Sequence, residues 1–148
     1  MSRLSLHKNI IGIKDATGEL KNLEEIQRLC EKQISEDNFF LYSGDDASSC
    51  EFMKRGGHGT ISVSSNIVPK LISEMTELAI SKSKEAEKIN KKIDALNEIL
   101  FVESNPIPVK YALYLMDLAP LGIRLPLTVL DQKYRDNLKQ ELIKLQLI

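Results

Sequence analysis

Three short apolar runs, "IIGI" (Ile10 to Ile13), "FFLYS" (Phe39 to Ser43) and "TISV" (Thr60 to Val63), set the main constraint on how this chain folds. Each is rich in β-branched or aromatic side chains and bounded by polar residues or glycine, the pattern of a strand hidden on both faces. Between the first two runs, Leu23, Ile26, Leu29 and Cys30 recur at helical spacing. Between the second and third, "ASSCEFMKR" is helix-compatible and is closed by Gly56-Gly57. Alternating strand and helix predicts a parallel sheet, because parallel neighbours need a crossover where antiparallel ones need only a turn. Three parallel strands cannot close a barrel, and they leave two apolar edges that a soluble chain normally covers. The sheet is therefore expected to be part of something larger or to pair with a second element.

The rest of the chain reads as helical. Leu71, Ile72, Met75, Leu78 and Ala79 mark one amphipathic helix, and Ala86, Ile89, Ile93, Leu96 and Leu100 mark another. "SNPIP", "APLG" and "RLPL" interrupt the pattern, and Tyr134, Leu138, Leu142 and Leu145 supply a last helix. The best division falls between residues 83 and 84, giving an α/β part over 1–83 and a helical part over 84–148. At 148 residues the chain suffices for one ordinary domain. A formal charge of −1 leaves no footprint for nucleic acid and no acidic tail. Cys30 and Cys50 have no CxxC pattern and no histidine at ligand spacing, which argues against a zinc site or a disulfide framework and fits reduced thiols. "MSRLSLHKN" lacks the apolar core of a secretion signal, and no stretch approaches the roughly 18 apolar residues of a membrane span. The expectation is a cytoplasmic protein that needs no metal or cofactor.

Lys14 is the leading candidate for chemistry. It is the first residue past "IIGI", and the loops at the ends of barrel strands carry the active site in barrel enzymes. To attack a carbonyl, a lysine amine must lose the proton it normally holds until a pH of about 10.4, which desolvation favours. The plainer reading is a surface lysine beside Asp15 in a solvated loop. Gly44, after the second run, would let a ligand approach the backbone. Asp45 and Asp46 follow it; two carboxylates could share a proton or hold a metal, but an aspartate just ahead of "ASSCEFM" serves better as a helix cap. "GGHG" (Gly56 to Gly59) invites a phosphate-loop reading, yet it stands after a helix and before a strand, at the end of the sheet remote from Lys14. It is better read as a helix stop and tight turn, with His58 structural and His7 at the surface. Neither histidine has a serine or cysteine partner that sequence places nearby. The lysine-rich stretch Lys82 to Lys92 reads as a solvated helix face in which Glu87 and Lys91 stand at i, i+4.

In order along the chain, "NIIGIKDATGEL", "SGDDAS", "GGHGTISV", "FVESNPIPVKYAL" and "RLPL" resemble the dihydrodipicolinate synthases of the pyruvate-dependent Schiff-base aldolase family. "GIK" alone would fit sialic acid lyases as well; "NPIPVK" and "RLPL" favour the synthases. The resemblance covers nearly the whole chain and implies the C-terminal portion of a TIM (β/α)8 barrel, strands six to eight, followed by a helical C-terminal domain. It implies that Lys14 forms an imine with pyruvate, and that Ile61 and Gly44 border the pyruvate pocket. The reaction it implies is addition of the lysine-bound enamine to aspartate semialdehyde, the entry to lysine and diaminopimelate synthesis. The family's paired threonines, relaying tyrosine and substrate-binding arginine belong to the first five strands, to which nothing here corresponds. The chain therefore resembles the C-terminal half of such an enzyme, expected to be inactive alone and to self-associate or bind a complementing N-terminal half. The alternatives are a non-catalytic remnant or interaction subunit, and a related aldolase of sialic or sugar acids. The extra length in "CEKQISEDN" is expected to form an extended surface loop.

Overall fold

A computed structural model describes all of residues 1–148. Its sheet has three parallel strands in the order β1 (Gly12–Asp15), β2 (Phe40–Ser43) and β3 (Gly59–Thr60). The helices are α1 (Leu20–Leu29), α2 (Glu31–Ser35), α3 (Ser49–Lys54), α4 (Pro69–Ile80), α5 (Glu85–Ile99), α6 (Ile107–Leu115) and α7 (Gln132–Lys144), with a 3-10 turn at Ser64–Asn66. The chain divides into two compact units: Met1–Ser62 with Glu74–Lys88, and Val63–Ser73 with Ile89–Ile148. No helix is long and apolar enough to cross a membrane.

In the first unit the strand-helix alternation gives the parallel sheet that the sequence implies. The register pairs Gly12 with Phe40, Lys14 with Tyr42, and Tyr42 in turn with Gly59. Only one face of the sheet is well covered. Phe39 and Leu41 are 0% and 1% exposed, α3 packs on β2 and β3, and Leu23 of α1 and Met53 of α3 are fully buried. The expectation that the first run is hidden on both faces fails. Ile11 is 67% exposed, and Gly12 and Ile13 are half-buried, because β1 is an edge strand with a partner on one side alone.

Two strand boundaries also move. β1 begins two residues later than the apolar run, so Lys14 lies inside the strand, with Asp15 closing it. β3 begins at Gly59 and ends at Thr60, which leaves Ile61 just beyond it, although the Ile61 N–H still donates to the Ser43 carbonyl at 2.8 Å. Apolar content marks where a strand is buried, whereas the ladder is set by backbone pairing with β2, and the two need not coincide at an edge.

"CEKQISEDN" is not an extended loop. Its centre forms α2, which directly follows α1 at Cys30, and the chain turns out of it at Asp37 with a positive φ of 55°. Cys30 is fully buried there, and no disulfide joins it to Cys50. Glu87 does not use the expected i, i+4 partner Lys91; it hydrogen-bonds Lys54 at the end of α3. That contact holds the Glu87 carboxyl below its ordinary range and raises the Lys54 ammonium above its own.

The second unit is all helical. α6 packs on α7 and on the 3-10 turn, with Ile107, Val109, Ala112, Leu138 and Leu142 buried. Buried Ser64 donates its hydroxyl to the Asn97 side-chain oxygen at 2.6 Å, so this polar pair is satisfied inside the unit. α7 starts at Asp131, whose carboxylate accepts the Lys133 N–H.

Candidate active site

The uncovered face of the sheet carries Lys14, Gly44 and Ile61. Side chains alternate along a strand, so Gly12 and Lys14 of β1 share one face with their register partners Phe40 and Tyr42 of β2. Gly44 continues the same parity beyond β2. Lys14, Tyr42, Phe40 and Ile61 line one open cavity of about 420 Å³, together with Ile10 and Gly12. Lys14 is exposed and Ile61 is 50% exposed, so the apolar burial expected around the amine is absent in this chain.

The Lys14 side chain runs toward the C-terminal end of the sheet, across Gly44. A Cβ placed on Gly44 would collide with Lys14 Cε, and would stand 2.9 Å from both Lys14 Cγ and Ala16 Cβ. Glycine is required here for close approach of a side chain, not for a special backbone angle. Thus the structure brings Lys14 and Gly44 together and sets Ile61 on the same cavity wall.

The acids near the site are occupied in shaping loops. Asp15 accepts the Thr17 N–H at 2.9 Å and the Thr17 hydroxyl at 2.8 Å, which turns the chain out of β1. Asp45 accepts the Ser48 N–H at 2.9 Å and the Ser48 hydroxyl at 2.6 Å in the turn ahead of α3, but the N-cap of that helix is Ser48, without a side-chain cap bond, so the cap expected of the aspartate just ahead of "ASSCEFM" is not made. Asp46 is buried below the same turn.

His58 has the structural place expected of it. Its Nδ1 accepts the Leu41 N–H at 3.0 Å while the His58 backbone N–H donates to the Leu41 carbonyl at 2.8 Å, and its ring meets Phe40 edge-on at 5.4 Å. The imidazole therefore extends the ladder where β3 has not yet begun. Gly56, with φ of 97°, ends the α3 segment in a turn. His7 is exposed. A second cavity, about 460 Å³, lies at the N-terminal ends of β1 and β2, lined by Leu6, His7, Lys8, Gln33, Asp37 and Phe40 among others, and contains neither Lys14, Gly44 nor Ile61.

Comparison with known proteins decides the family. The model of the dihydrodipicolinate synthetase family matches residues 1–145. The chain belongs to this family. Among similar members, the 4-hydroxy-tetrahydrodipicolinate synthase of Methylococcus capsulatus is 49% identical over 141 residues, covering 95% of this chain and 47% of the relative. That of Psychromonas ingrahamii is 47% identical over 150 residues, covering all of this chain and 50% of the relative. The crystal structure of the chloride-inhibited dihydrodipicolinate synthase from Acinetobacter baumannii, complexed with pyruvate, superposes with a TM-score of 0.90 at 44% identity. It covers 99% of this chain and 49% of that one. This dihydrodipicolinate synthetase family member thus spans about half the length of the relatives it matches, and its α/β fold is that of a partial sheet with helices from a TIM-barrel family.

One residue of this family member's open face escaped the sequence reading. Tyr42 was visible only as part of an apolar run. Its parity with Gly44, two residues on, was the available signal, since residues two apart in a strand share a face.

Proposed function

We propose that the chain is the C-terminal half of a 4-hydroxy-tetrahydrodipicolinate synthase-type lyase. In this reading β1, β2 and β3 are the sixth, seventh and eighth strands of a (β/α)8 barrel, residues 1–83 are the barrel portion and 84–148 the helical C-terminal domain. The observation that carries the reading is the seating of Lys14 across Gly44 on the open face, within one cavity wall of Ile61.

Lys14 is the nucleophile. Its Nζ bonds to C2 of pyruvate, and the carbonyl oxygen leaves as water, giving an imine. Loss of a C3 proton converts the imine to an enamine, whose C3 then bonds to the aldehyde carbon of aspartate semialdehyde. Gly44 and Ile61 border the keto acid. The proton from C3 needs an acceptor, and the new alkoxide needs a donor. By resemblance those groups, with the arginine that holds the second substrate, come from the first five strands. A relay of this kind contributes on the order of 10²–10⁴-fold. Alone, the chain forms the imine slowly, enough to be trapped, and does not turn over. The two buried cysteines, not joined in a disulfide, suit a reducing, cytoplasmic setting.

The exposure of Ile11 and Ile61 favours association over solitary existence, with a second copy or with a complementing N-terminal half. The test is a reductase-coupled assay with pyruvate and aspartate semialdehyde, run on the chain alone and after mixing with residues of the Methylococcus capsulatus relative that this chain does not span. The expected result is no turnover alone and restored turnover in the mixture, lost with Lys14→Ala. Full rates from the chain alone contradict its incompleteness, and restoration that survives Lys14→Ala contradicts the assignment of the nucleophile.

A further inference from the structure

Gly44 and Ile61, the two residues assigned to the border of the keto acid, are tied to one residue whose side chain lies on the covered face. Ser43 is the last residue of β2 and is 1% exposed. Its backbone carbonyl accepts the Ile61 N–H at 2.8 Å and the Thr60 hydroxyl at 3.3 Å, which anchors the chain just past β3. Its side-chain hydroxyl accepts the Asp45 N–H at 3.2 Å and donates to the Asp45 carbonyl at 2.9 Å, so both bonds reach across Gly44. The Gly44–Asp45 peptide is trans, and in a trans peptide the N–H and C=O point opposite ways. Turning the Asp45 N–H toward Ser43 Oγ therefore fixes the plane of the peptide that follows Gly44. On the other side, the Gly44 N–H donates to the carbonyl of Asp15, next to Lys14, at 2.6 Å.

We propose that Ser43 is a positioning residue for imine formation: its hydroxyl holds the Gly44 backbone where the Lys14 stem crosses it. The role rests on Lys14 being the nucleophile and on Gly44 and Ile61 bordering the keto acid. Ser43 itself touches neither the amine nor the substrate. The Lys14 stem lies so close to Gly44 that a Cβ there would stand 2.9 Å from Lys14 Cγ and collide with Cε. A displaced Gly44 backbone therefore either pushes the stem aside or leaves it without its support. Glycine resists such displacement least of all residues, because its own backbone angles are the least restricted. The Asp15 bond restrains Gly44 from the β1 side, and the Ser43 hydroxyl supplies the restraint on the Asp45 side. Misplacing a reacting group by about 1 Å costs on the order of 10²-fold in rate, so a small slackening of this turn is enough to be read.

Borohydride trapping tests this on the full chain. The Lys14 nitrogen bonds to C2 of pyruvate, the carbonyl oxygen leaves as water, and hydride from borohydride adds to the C=N carbon, giving a stable secondary amine that peptide mapping locates. Formaldehyde with the same reductant is the control, because it labels Lys14 wherever the amine is accessible and needs no ordered surroundings. Each variant is labelled below its own thermal transition, so that unfolding does not enter. The expected result for Ser43→Ala is a fall of at least fivefold in the ratio of pyruvate to formaldehyde labelling at Lys14. Ser43→Thr, which keeps the hydroxyl on a side chain suited to a strand, holds the ratio within twofold of wild type. A residue that only stabilised the fold would leave the ratio of a folded variant unchanged. Ser43→Cys, whose thiol is a weak donor, takes the place of the alanine variant if that variant loses its cooperative transition, and the same fall is expected. A fall of less than fivefold overturns the proposal, as does a loss in Ser43→Thr equal to that in Ser43→Ala. If neither the alanine nor the cysteine variant folds, the hydroxyl belongs to folding and the proposal is likewise overturned. Failure of pyruvate to label Lys14 in wild type is a different result: it overturns the nucleophile assignment, and the role of Ser43 falls with it.

Discussion

The two faces of the same three strands have opposite fates. On one face Leu41 and Ser43 of β2 are 1% exposed beneath α3, with Phe39 just ahead of the strand at 0%. On the other, Lys14 and Ile61 stand in an open cavity with Tyr42 half-buried between them. A strand presents alternate residues to opposite sides, so four residues of β2 serve both purposes at once. What the contrast teaches is that the stability of this unit and its chemistry are carried by different side chains and can be broken separately.

The largest expected effect is on the covered face. Phe39→Ala removes a fully buried ring and should destabilise the chain by about 3–5 kcal/mol, whereas Ile61→Ala, on the open face, should cost about 1 kcal/mol or less. Urea unfolding of both variants checks this, and equal losses would mean that the open face is not open in solution. Next is Gly44→Ala. Its Cβ would displace the Lys14 stem, and a misplacement of about 1 Å costs on the order of 10²-fold in rate. Slower pyruvate trapping with an unchanged urea midpoint is the expected outcome; a lost midpoint would tie Gly44 to stability instead.

The smallest effect belongs to Glu87 and Lys54, remote from either face of the argument. Lys54 hydrogen-bonds Glu87 and keeps that carboxylate ionised below its ordinary value of 4.5. A depressed carboxyl stabilises the fold above its unfolded pKa, and the contribution disappears as pH falls through the lower, folded value. Lys54 is raised by the same bond, so its share is complete below 10.5 and fades as pH rises through the raised value. Thermal melts of Glu87→Gln should therefore show a small deficit against wild type at pH 7 that vanishes in acid and shrinks with added salt. A deficit that persists at low pH would assign it to packing.

Much of the fold was legible because hydrophobic period reports burial directly. β2 and the helices marked by Leu23, Leu71, Ile93 and Leu138 lie where those patterns put them. β1 did not, because its ladder with β2 begins at Gly12, a residue with no side chain to mark it. α6 was hidden behind "SNPIP": the prolines read as a break, yet Pro108 sits in the first turn of the helix, where no N–H partner is lost. α2 escaped because a single short polar turn has no period to detect. For the site, the juxtaposition of Lys14 and Gly44 followed from their placement at the ends of adjacent parallel strands. The exposure of Lys14 agrees with the plainer reading of a surface lysine and not with the desolvation expected of an active amine, since burial depends on what covers the inner face, and nothing local in "GIKD" encodes that.

The most direct test of the separation between a structural face and a chemical one is peptide mapping after pyruvate and borohydride. The account predicts one adduct, on Lys14, that disappears in Lys14→Ala while the urea midpoint stays within error of wild type. An adduct that survives in Lys14→Ala, or one that maps to any other lysine, would contradict it.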